Sequence, residues 1–354
     1  MQTQSATTLE AKKIARKSGL TYISDSAPGI KRIKKGKSFS YVDADGKPVK
    51  DSALLGRIKS LVLPPAWENV WISPFEKSHL QATGIDARGR KQYRYHTQWS
   101  KVRSENKFSR MRQFADALPK IRKAVEKDIS RRETTREKII ATVIQLMEKG
   151  HMRVGNAEYA KEYGSFGLTT LRDKHVEVKG GKLKFAFKGK KGIWHEIELN
   201  DKRLAKIVQK CKDIPGQELF QYYDENGEKH GIDSGAVNEY LHEVTGEDFT
   251  AKDFRTWAGT LRAFTALWQL PPTESKTERK SQLVEVVKEV ARRLGNTPTV
   301  CKKYYIHPTV IAAYESGNIH RYEVQSNIEN NKLTPEEEAL VRLLDSEKIA
   351  EVLG

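Results

Sequence analysis

The feature that most constrains the fold is a change in the spacing of apolar residues near residue 100. Between about residues 20 and 95, short alternating runs are separated by turn signals such as Asp43-Ala44-Asp45-Gly46, a pattern typical of antiparallel strands. From Trp99 onward, apolar residues recur at helical spacing, as in the stretch from Asn106 to Ile129. The sequence therefore predicts an α+β protein, with a small, mainly antiparallel β domain followed by a larger, mainly α domain.

The larger domain is expected to contain one short sheet among its helices. Thr134 and Glu137 form a capping-box pattern before an apolar helix that ends near Gly150. Residues 167–198 read as a three-stranded meander with turns at Gly180-Gly181 and residues 189–192. Further helices are predicted at 201–212, 235–244, 251–268, 281–294 and 335–352.

These patterns divide the chain into four segments. The predicted segments are a flexible tail at 1–19, an amino-terminal β domain at 20–104, a catalytic domain at 105–320 and an acidic, helical carboxy-terminal tail at 321–354. No repeats or low-complexity linkers separate them.

The charge of the chain indicates a polyanionic partner. The formal net charge is +17, and residues 321–354 carry four basic and eight acidic residues, which leaves +21 on the rest. Such an excess favours binding to nucleic acid. No apolar run approaches the length of a membrane span, and two cysteines without metal-ligand spacing fit a reducing interior. We therefore expect a cytoplasmic protein, associated with the nucleoid if it is bacterial.

Five side chains could together cut a phosphodiester. A tyrosine nucleophile forms a covalent phosphotyrosine, arginines stabilise the charge on the phosphate oxygens, and a lysine can protonate the leaving oxygen. The candidates lie in the segments Met152-Arg153-Val154-Gly155, Phe187-Lys188-Gly189-Lys190, Lys252-Asp253-Phe254-Arg255-Thr256, Gly295-Asn296-Thr297-Pro298 and Lys302-Lys303-Tyr304-Tyr305-Ile306-His307-Pro308.

Each candidate also has an ordinary structural interpretation. Tyr305 could pack at a helix edge, Arg153 and Arg255 could form salt bridges, Lys190 could lie on a solvated hairpin tip, and Asn296 could cap a turn. The residues alone do not distinguish Tyr305 from Tyr304, or Lys190 from Lys191. No metal-ligand pattern and no phosphate-binding loop for a nucleoside triphosphate is present, so neither a metal nor another cofactor is expected.

These segments, in this order, resemble the type IB DNA topoisomerases of the short poxviral and bacterial kind. The resemblance covers roughly residues 20–320 and includes Leu63-Pro64-Pro65-Ala66-Trp67, the stretch from Asp86 to Tyr95, and the stretch from Leu168 to His175. It implies a catalytic fold like that of the tyrosine recombinases, and a monomer that clamps supercoiled duplex DNA between its two domains.

The resemblance also implies a role for each residue. Arg153, Arg255 and Asn296 would hold the scissile phosphate, Lys190 would protonate the 5′ oxygen from the minor groove, and Tyr305 would form the 3′-phosphotyrosyl bond. The cut strand would then swivel and be resealed without ATP. Asn296 departs from the family, in which many members have histidine. An amide donates a hydrogen bond but carries no charge, so Asn296 is expected only to stabilise the phosphate.

In the β domain, the resemblance implies DNA contacts in the major groove. Gln92, Tyr93 and Tyr95 match family residues that touch DNA, while Lys91, Arg88 and Arg90 are expected to contact the backbone; a structural alternative is a hairpin with cross-strand tyrosines. Two other functions stay open, a tyrosine site-specific recombinase and a non-catalytic basic nucleic-acid-binding protein.

Overall fold

The chain folds into two compact units, residues 1–107 and 108–354. The structure, a computed structural model, describes residues 6–36, 38–87, 89, 91–324 and 333–353, without the side chains of 6–11, 100–107, 109 and 347–353. The division falls inside one long helix, α3 (Thr97–Ile129). The α+β class predicted from the sequence is confirmed.

The first unit is built on a five-stranded antiparallel sheet in the order β2-β1-β3-β4-β5. Its strands are β1 Ile30–Lys35, β2 Ser38–Val42, β3 Glu68–Ile72, β4 Leu80–Ile85 and β5 Lys91–Tyr95. Helix α2 (Ser52–Ser60) begins at Asp51, whose carboxylate accepts from two amides of the first turn. Ile58 of this helix packs on Ile30, Ile72 and other residues of one sheet face.

The amino-terminal segment differs from the expected flexible tail. Residues Ala6–Lys17 form helix α1, and Ala15 is buried together with Leu20 and Trp99. The charged residues of this segment favour exposure to solvent. Ile14 and Ala15, however, form an apolar edge that packs on Trp99. Burial of this edge explains why the segment is helical.

The second unit contains most of the helices and two small sheets. Its helices after α3 are α4 Arg136–Gly150, α5 Ala157–Tyr163, α6 Lys202–Lys212, α7 Ser234–Thr245, α8 Ala251–Trp268, α9 Lys276–Leu294, α10 Pro298–Tyr304, α11 Pro308–Glu315 and α12 Pro335–Leu353. The strands β6 Val176–Lys179, β7 Lys182–Lys188 and β8 Trp194–Asn200 form an antiparallel meander, and β9 Gln221–Tyr223 pairs with β10 Lys229–Gly231.

The meander starts later than the sequence suggested. Residues 168–170 and 173–175 form two 3-10 turns instead of strand. In the first turn, Thr170 Oγ1 accepts from Gly167 N at 3.0 Å, which satisfies an amide that a strand ladder would otherwise have used. The two turns at residues 180–181 and 189–192 lie where they were predicted.

Two helices show how local chemistry sets their starting points. Helix α8 begins with a capping box, in which Thr250 N donates to Asp253 Oδ2 at 2.8 Å. Helix α4 is capped by Thr135, whose hydroxyl accepts from Lys138 N, and not by Thr134 as the sequence suggested. Both threonines are residue types that cap helices, so the sequence alone does not choose between them.

The acidic carboxy-terminal segment is a packed helix in its described part. Glu337 of α12 is 2% exposed and forms an ion pair with Arg122 at 2.7 Å. Arg122 also pairs with Glu148, and Trp257 Nε1 donates to Glu337 Oε1 at 3.1 Å. These bonds attach α12 to α3, α4 and α8. Within the described residues, no helix combines the length and the apolarity that crossing a bilayer requires.

Candidate active site

Arg255 is a cation buried in the second unit, and the described residues give it no acidic partner. It lies in the first turns of α8 and is 5% exposed. Its Nη1 donates to the carbonyl of His151, and its Nη2 donates to the carbonyl of Leu294 at 2.7 Å. Its Nε is buried without a hydrogen-bond acceptor. Burial and the nearby Arg153 lower the pKa of Arg255 to about 10, which leaves it protonated at neutral pH.

Arg153 lies three residues after α4 and points at the turn that follows α9. Its Nη2 donates to Asn296 Oδ1 at 3.0 Å and to Gly295 O at 3.2 Å. Burial lowers the pKa of this guanidinium, and interaction with Tyr305 opposes that shift. Arg153 and Asn296 are therefore joined by a hydrogen bond in which the amide oxygen of Asn296 is the acceptor.

Asn296 is placed by the end of α9. Gly295 ends the helix in the left-handed region at φ 57°, and Asn296 N then donates to Ala291 O at 2.9 Å, a glycine-dependent helix ending. Asn296 Nδ2 lies 3.4 Å from the carbonyl of Leu294. This long bond leaves the amide N–H₂ able to donate to an added acceptor.

Tyr305 forms the end of α10 and is held by its backbone. Its N donates to Cys301 O at 2.9 Å, and its carbonyl accepts from Thr260 Oγ1 at 3.0 Å. Thr260 Oγ1 in turn accepts from His307 N at 3.0 Å. A Cβ on Gly259 would lie 2.7 Å from Tyr305 O, so this glycine permits close approach of the two segments.

The phenol of Tyr305 lies among the guanidinium groups. The Cζ atom of Arg255 is 5.5 Å from the centre of the Tyr305 ring. Hydrogen bonding to Tyr305 also acts to raise the pKa values of Arg153 and Arg255. Tyr305 is half-buried, whereas the neighbouring Tyr304 is 40% exposed.

Lys190 lies at the tip of the hairpin between β7 and β8. A tight turn over Lys190–Gly192 carries Lys191 in the left-handed region at φ 64°. The pKa of Lys190 is lowered, first by partial burial of its ammonium group and then by the charge of Arg153, while Tyr305 opposes the shift. The structure thus brings Lys190 into electrostatic contact with two of the other candidates.

The five candidates therefore meet in one place, from five separate segments of the second unit. Among the groups that shift the pKa values of Arg153, Lys190 and Arg255, the described residues contribute no carboxylate. Three cations, one amide and one phenol form a site with unbalanced positive charge. Such a site suits a phosphate whose negative charge increases during reaction.

The predicted DNA-contact residues of the first unit are arranged differently. Lys91 Nζ forms an ion pair with Asp25 at 2.6 Å, and Gln92 Nε2 donates to Asp86 Oδ2 at 2.9 Å. Tyr93 and Tyr95 are stacked with ring centres 5.9 Å apart. Arg88 and Arg90 lie outside the described residues.

These residues do not share one face of the sheet. Gln92 pairs with Gly84, and Tyr93 pairs with Thr83, so the two side chains point to opposite sides of β5. Lys91 and Tyr93 are on the side of Thr83, whose hydroxyl bonds Asp25. One surface of this strand therefore cannot present Gln92 and Tyr93 together.

Two histidines contribute to the site without a signal in the sequence. His151 ends α4 at φ 52°, and its Nε2 accepts from Arg262 Nε at 3.1 Å while its carbonyl holds Arg255. His195, on β8, interacts electrostatically with Arg153 and Arg255. A single sequence does not separate such positions from ordinary histidines.

One group of possible metal ligands exists among the described residues, and it lies outside this site. Ligand atoms of Asp224, Glu228 and His230 lie within 4.8 Å of one another. Asp224 Oδ1 accepts from the amides of Asn226 and Glu228, and Asp224 Oδ2 lies 2.8 Å from His230 Nε2. These bonds close the hairpin between β9 and β10, which accounts for the cluster.

Two family models match the chain. The model described as eukaryotic DNA topoisomerase I, catalytic core, matches residues 96–333, and the model described as bacterial DNA topoisomerase IB, N-terminal domain, matches residues 38–86.

Curated relatives agree with these models. The DNA topoisomerase 1B of Acanthamoeba polyphaga mimivirus is 32% identical over 298 residues, which cover 82% of this chain and 88% of that protein. The DNA topoisomerase 1B of vaccinia virus, strain Western Reserve, is 24% identical over 257 residues, or 71% and 77% of the two chains. Among solved structures, the XerH site-specific recombinase in a post-cleavage complex matches at a TM-score of 0.33 and 14% identity, over 53% of this chain and 47% of that chain.

Proposed function

Because the chain belongs to the type IB DNA topoisomerases, we propose that Tyr305 is the nucleophile with which it cuts and reseals one DNA strand. The family membership makes the chain a DNA topoisomerase that relaxes DNA through a phosphotyrosine intermediate. A recombinase and a non-catalytic binding protein are not favoured, since the matching models and relatives are topoisomerases. The observation that supports Tyr305 is its phenol, which lies against both Arg153 and the buried Arg255.

The cleavage step uses the five residues in distinct roles. Tyr305 Oη attacks the phosphorus and loses its proton to solvent, while the bond between phosphorus and the 5′ oxygen breaks. Lys190 gives its proton to that oxygen. Arg153, Arg255 and the amide N–H₂ of Asn296 donate to the non-bridging oxygens, whose charge increases in the transition state. The product is a 3′-phosphotyrosyl bond and a free 5′ hydroxyl.

Resealing reverses these events after the cut strand has swivelled. The 5′ hydroxyl attacks the phosphotyrosine and returns its proton to Lys190, and Tyr305 leaves and regains its proton from solvent. The phosphotyrosine conserves the energy of the original bond, so the reaction needs no ATP. Torsional strain in supercoiled DNA drives the reaction toward the relaxed form.

The acting form is proposed to be a monomer on supercoiled duplex DNA in the cytoplasm. One chain contains all five residues within its second unit, which supports a monomer. Both cysteines are buried and free, as suits a reducing compartment. The match to the amino-terminal domain of bacterial topoisomerase IB supports a protein of bacterial type.

The test is plasmid relaxation together with trapping of the covalent adduct. The protein is expected to relax positively and negatively supercoiled plasmid in EDTA without ATP, and to form a 3′ adduct on a nicked substrate. Tyr305→Phe should abolish both activities while DNA binding stays within a few-fold. Tyr304→Phe is the matched control, because the neighbouring phenol is exposed, and it should retain activity. Relaxation by Tyr305→Phe at the parental rate would overturn the assignment.

A further inference from the structure

The imidazole of His195 occupies the space between two turns of the active site. A Cβ on Gly189 would lie 2.6 Å from Cδ2 of this ring, and a Cβ on Gly295 would lie 2.3 Å from its Cε1. Any residue larger than glycine at either position would therefore collide with the ring. One side chain thus contacts the backbone of two segments that are about 100 residues apart in the sequence.

Each of these glycines directly precedes a residue of the site. Gly189 comes before Lys190, and Gly295 comes before Asn296. Gly189 N also donates to Ile193 O at 2.7 Å, which closes the hairpin tip. Displacement of the ring would therefore change the separation between the proton donor and the phosphate-binding amide.

The ring itself is fixed from the other side. His195 pairs with Phe187 across β7 and β8, and the two rings are stacked with centres 5.3 Å apart at 20°. Burial, followed by the charges of Arg153 and Arg255, lowers the pKa of His195 to about 4. At neutral pH the ring is uncharged, so it adds packing without adding a further cation to the site.

We propose that His195 is a positioning residue, which sets the distance between the Lys190 turn and the Asn296 turn and so holds the ammonium group at the leaving oxygen. The proposal rests on the role proposed above for Lys190. Misplacement of a reacting group by about 1 Å can slow a reaction roughly 10²-fold, so packing alone is sufficient for a large effect.

The main test compares two leaving groups in single-turnover cleavage. A substrate with sulfur in place of the bridging 5′ oxygen leaves as a thiolate, which needs little help from a proton donor. His195→Ala is expected to slow cleavage of the oxygen substrate by roughly 10²-fold and to cleave the sulfur substrate at nearly the parental rate. Equal slowing on both substrates, or no slowing on either, would contradict the proposal.

Lys190→Ala provides the reference for this pattern. It should show the same selective recovery with sulfur; if it does not, the role of Lys190 fails, whatever His195→Ala shows. Glu196→Ala is the matched control, because its exposed side chain lies next along β8 and on the opposite face, and it should leave both rates unchanged.

A double-mutant cycle keeps the proposal testable if His195→Ala folds poorly. Gly189→Ala alone forces a methyl group into the ring and should slow the oxygen substrate selectively. In the double variant with His195→Ala, the methyl group enters the vacated space, so the added substitution should cost little. Additive losses would show that the two positions act independently and would overturn the proposal.

Discussion

The candidate functional cations of the two units differ in the partners to which they donate. In the first unit, Lys91 already has an acidic partner in Asp25, and Gln92 is held by Asp86. In the second unit, the described partners of Arg153 and Arg255 are carbonyls, an amide and a phenol. If Lys91 contacts DNA as predicted, the first unit would exchange one anion for another on binding, whereas the second would gain an anion.

This difference separates binding from chemistry. A buried charge without a counter-ion destabilises a fold, and such a charge is retained where a ligand supplies the opposite sign. A partly exposed ion pair such as Lys91 with Asp25 contributes little to stability, and breaking it for a phosphate contact changes the total little. We therefore expect substitutions in the second unit to affect cleavage and those in the first to affect binding.

The largest expected difference is between Arg255→Ala and Lys91→Ala. Arg255→Ala removes a preorganised donor and should slow single-turnover cleavage by about 10³-fold, since loss of one such donor costs on the order of 10²–10³. Lys91→Ala should slow it less than about 10-fold, because a solvent-accessible pair is worth roughly 1 kcal/mol. Arg255→Lys keeps the charge but loses the two-pronged donor, and should resemble alanine. Similar cleavage rates for Arg255→Ala and Lys91→Ala would show that the two units do not differ in their effect on cleavage.

The next effect concerns the neutral member of the second site. Asn296→Ala should slow cleavage by roughly 10-fold, as expected for loss of one hydrogen bond of about 1.5 kcal/mol to a charged group. Asn296→His should remain active, since imidazole also donates. The rate of adduct formation on a nicked substrate measures both. Cleavage by the alanine variant at the parental rate would show that the amide has no part in holding the phosphate.

A smaller effect is a shift in the pH dependence of cleavage. Lys190 must be protonated to act as an acid, so the rate falls as pH rises through its pKa, which lies below the ordinary 10.5. Lys252 is one of the like charges that lower this pKa. Lys252→Ala removes that charge, so the pKa of Lys190 should rise and the alkaline limb of the rate profile should move to higher pH. A downward movement would contradict the electrostatic link.

The smallest effect is expected in the first unit, and it probes binding alone. Asp25→Asn removes the carboxylate that Lys91 would leave on contacting the DNA backbone and that would then take up a cation from solvent, so binding should release one more cation in total. The plot of log binding constant against log salt should steepen by about 1, while the cleavage rate of the bound complex stays constant. Filter binding over a range of salt concentrations tests the slope. A changed cleavage rate would show that the first unit also acts on chemistry.

Helix α8 and the meander were predictable from sequence because their signals are local. The capping box at Thr250 and Asp253, and the glycine turns at 180–181 and 189–192, each lie within a few residues of the structure they specify. By contrast, the sequence predicts a flexible tail at residues 1–19, whereas helix α1 depends on Trp99, more than 80 residues away. Nor does the local pattern choose between Thr134 and Thr135 as the cap.

In the candidate site, too, residue types could be predicted from the sequence, whereas contacts between distant segments could not. The residue types of Arg153, Lys190, Arg255, Asn296 and Tyr305 indicated phosphate chemistry, and a family resemblance selected them among their neighbours. The sequence could not reveal that Lys91 is neutralised by Asp25, since 66 residues separate them. Nor could it reveal the contact of His195 with Gly189 and Gly295, because only the folded backbone brings these segments together.

The bonds around Thr260 have a mechanical consequence. With Tyr305 as the proposed nucleophile, the 3′ end of the cut strand would be joined to the protein through this one side chain, so tension in the strand would reach its backbone. That backbone is attached to the middle of α8 by Thr260, which accepts from His307 N and donates to Tyr305 O. Tension on the adduct would therefore pass into the helix that also carries Arg255. In this arrangement the 3′ phosphate and Arg255 would be displaced together under tension.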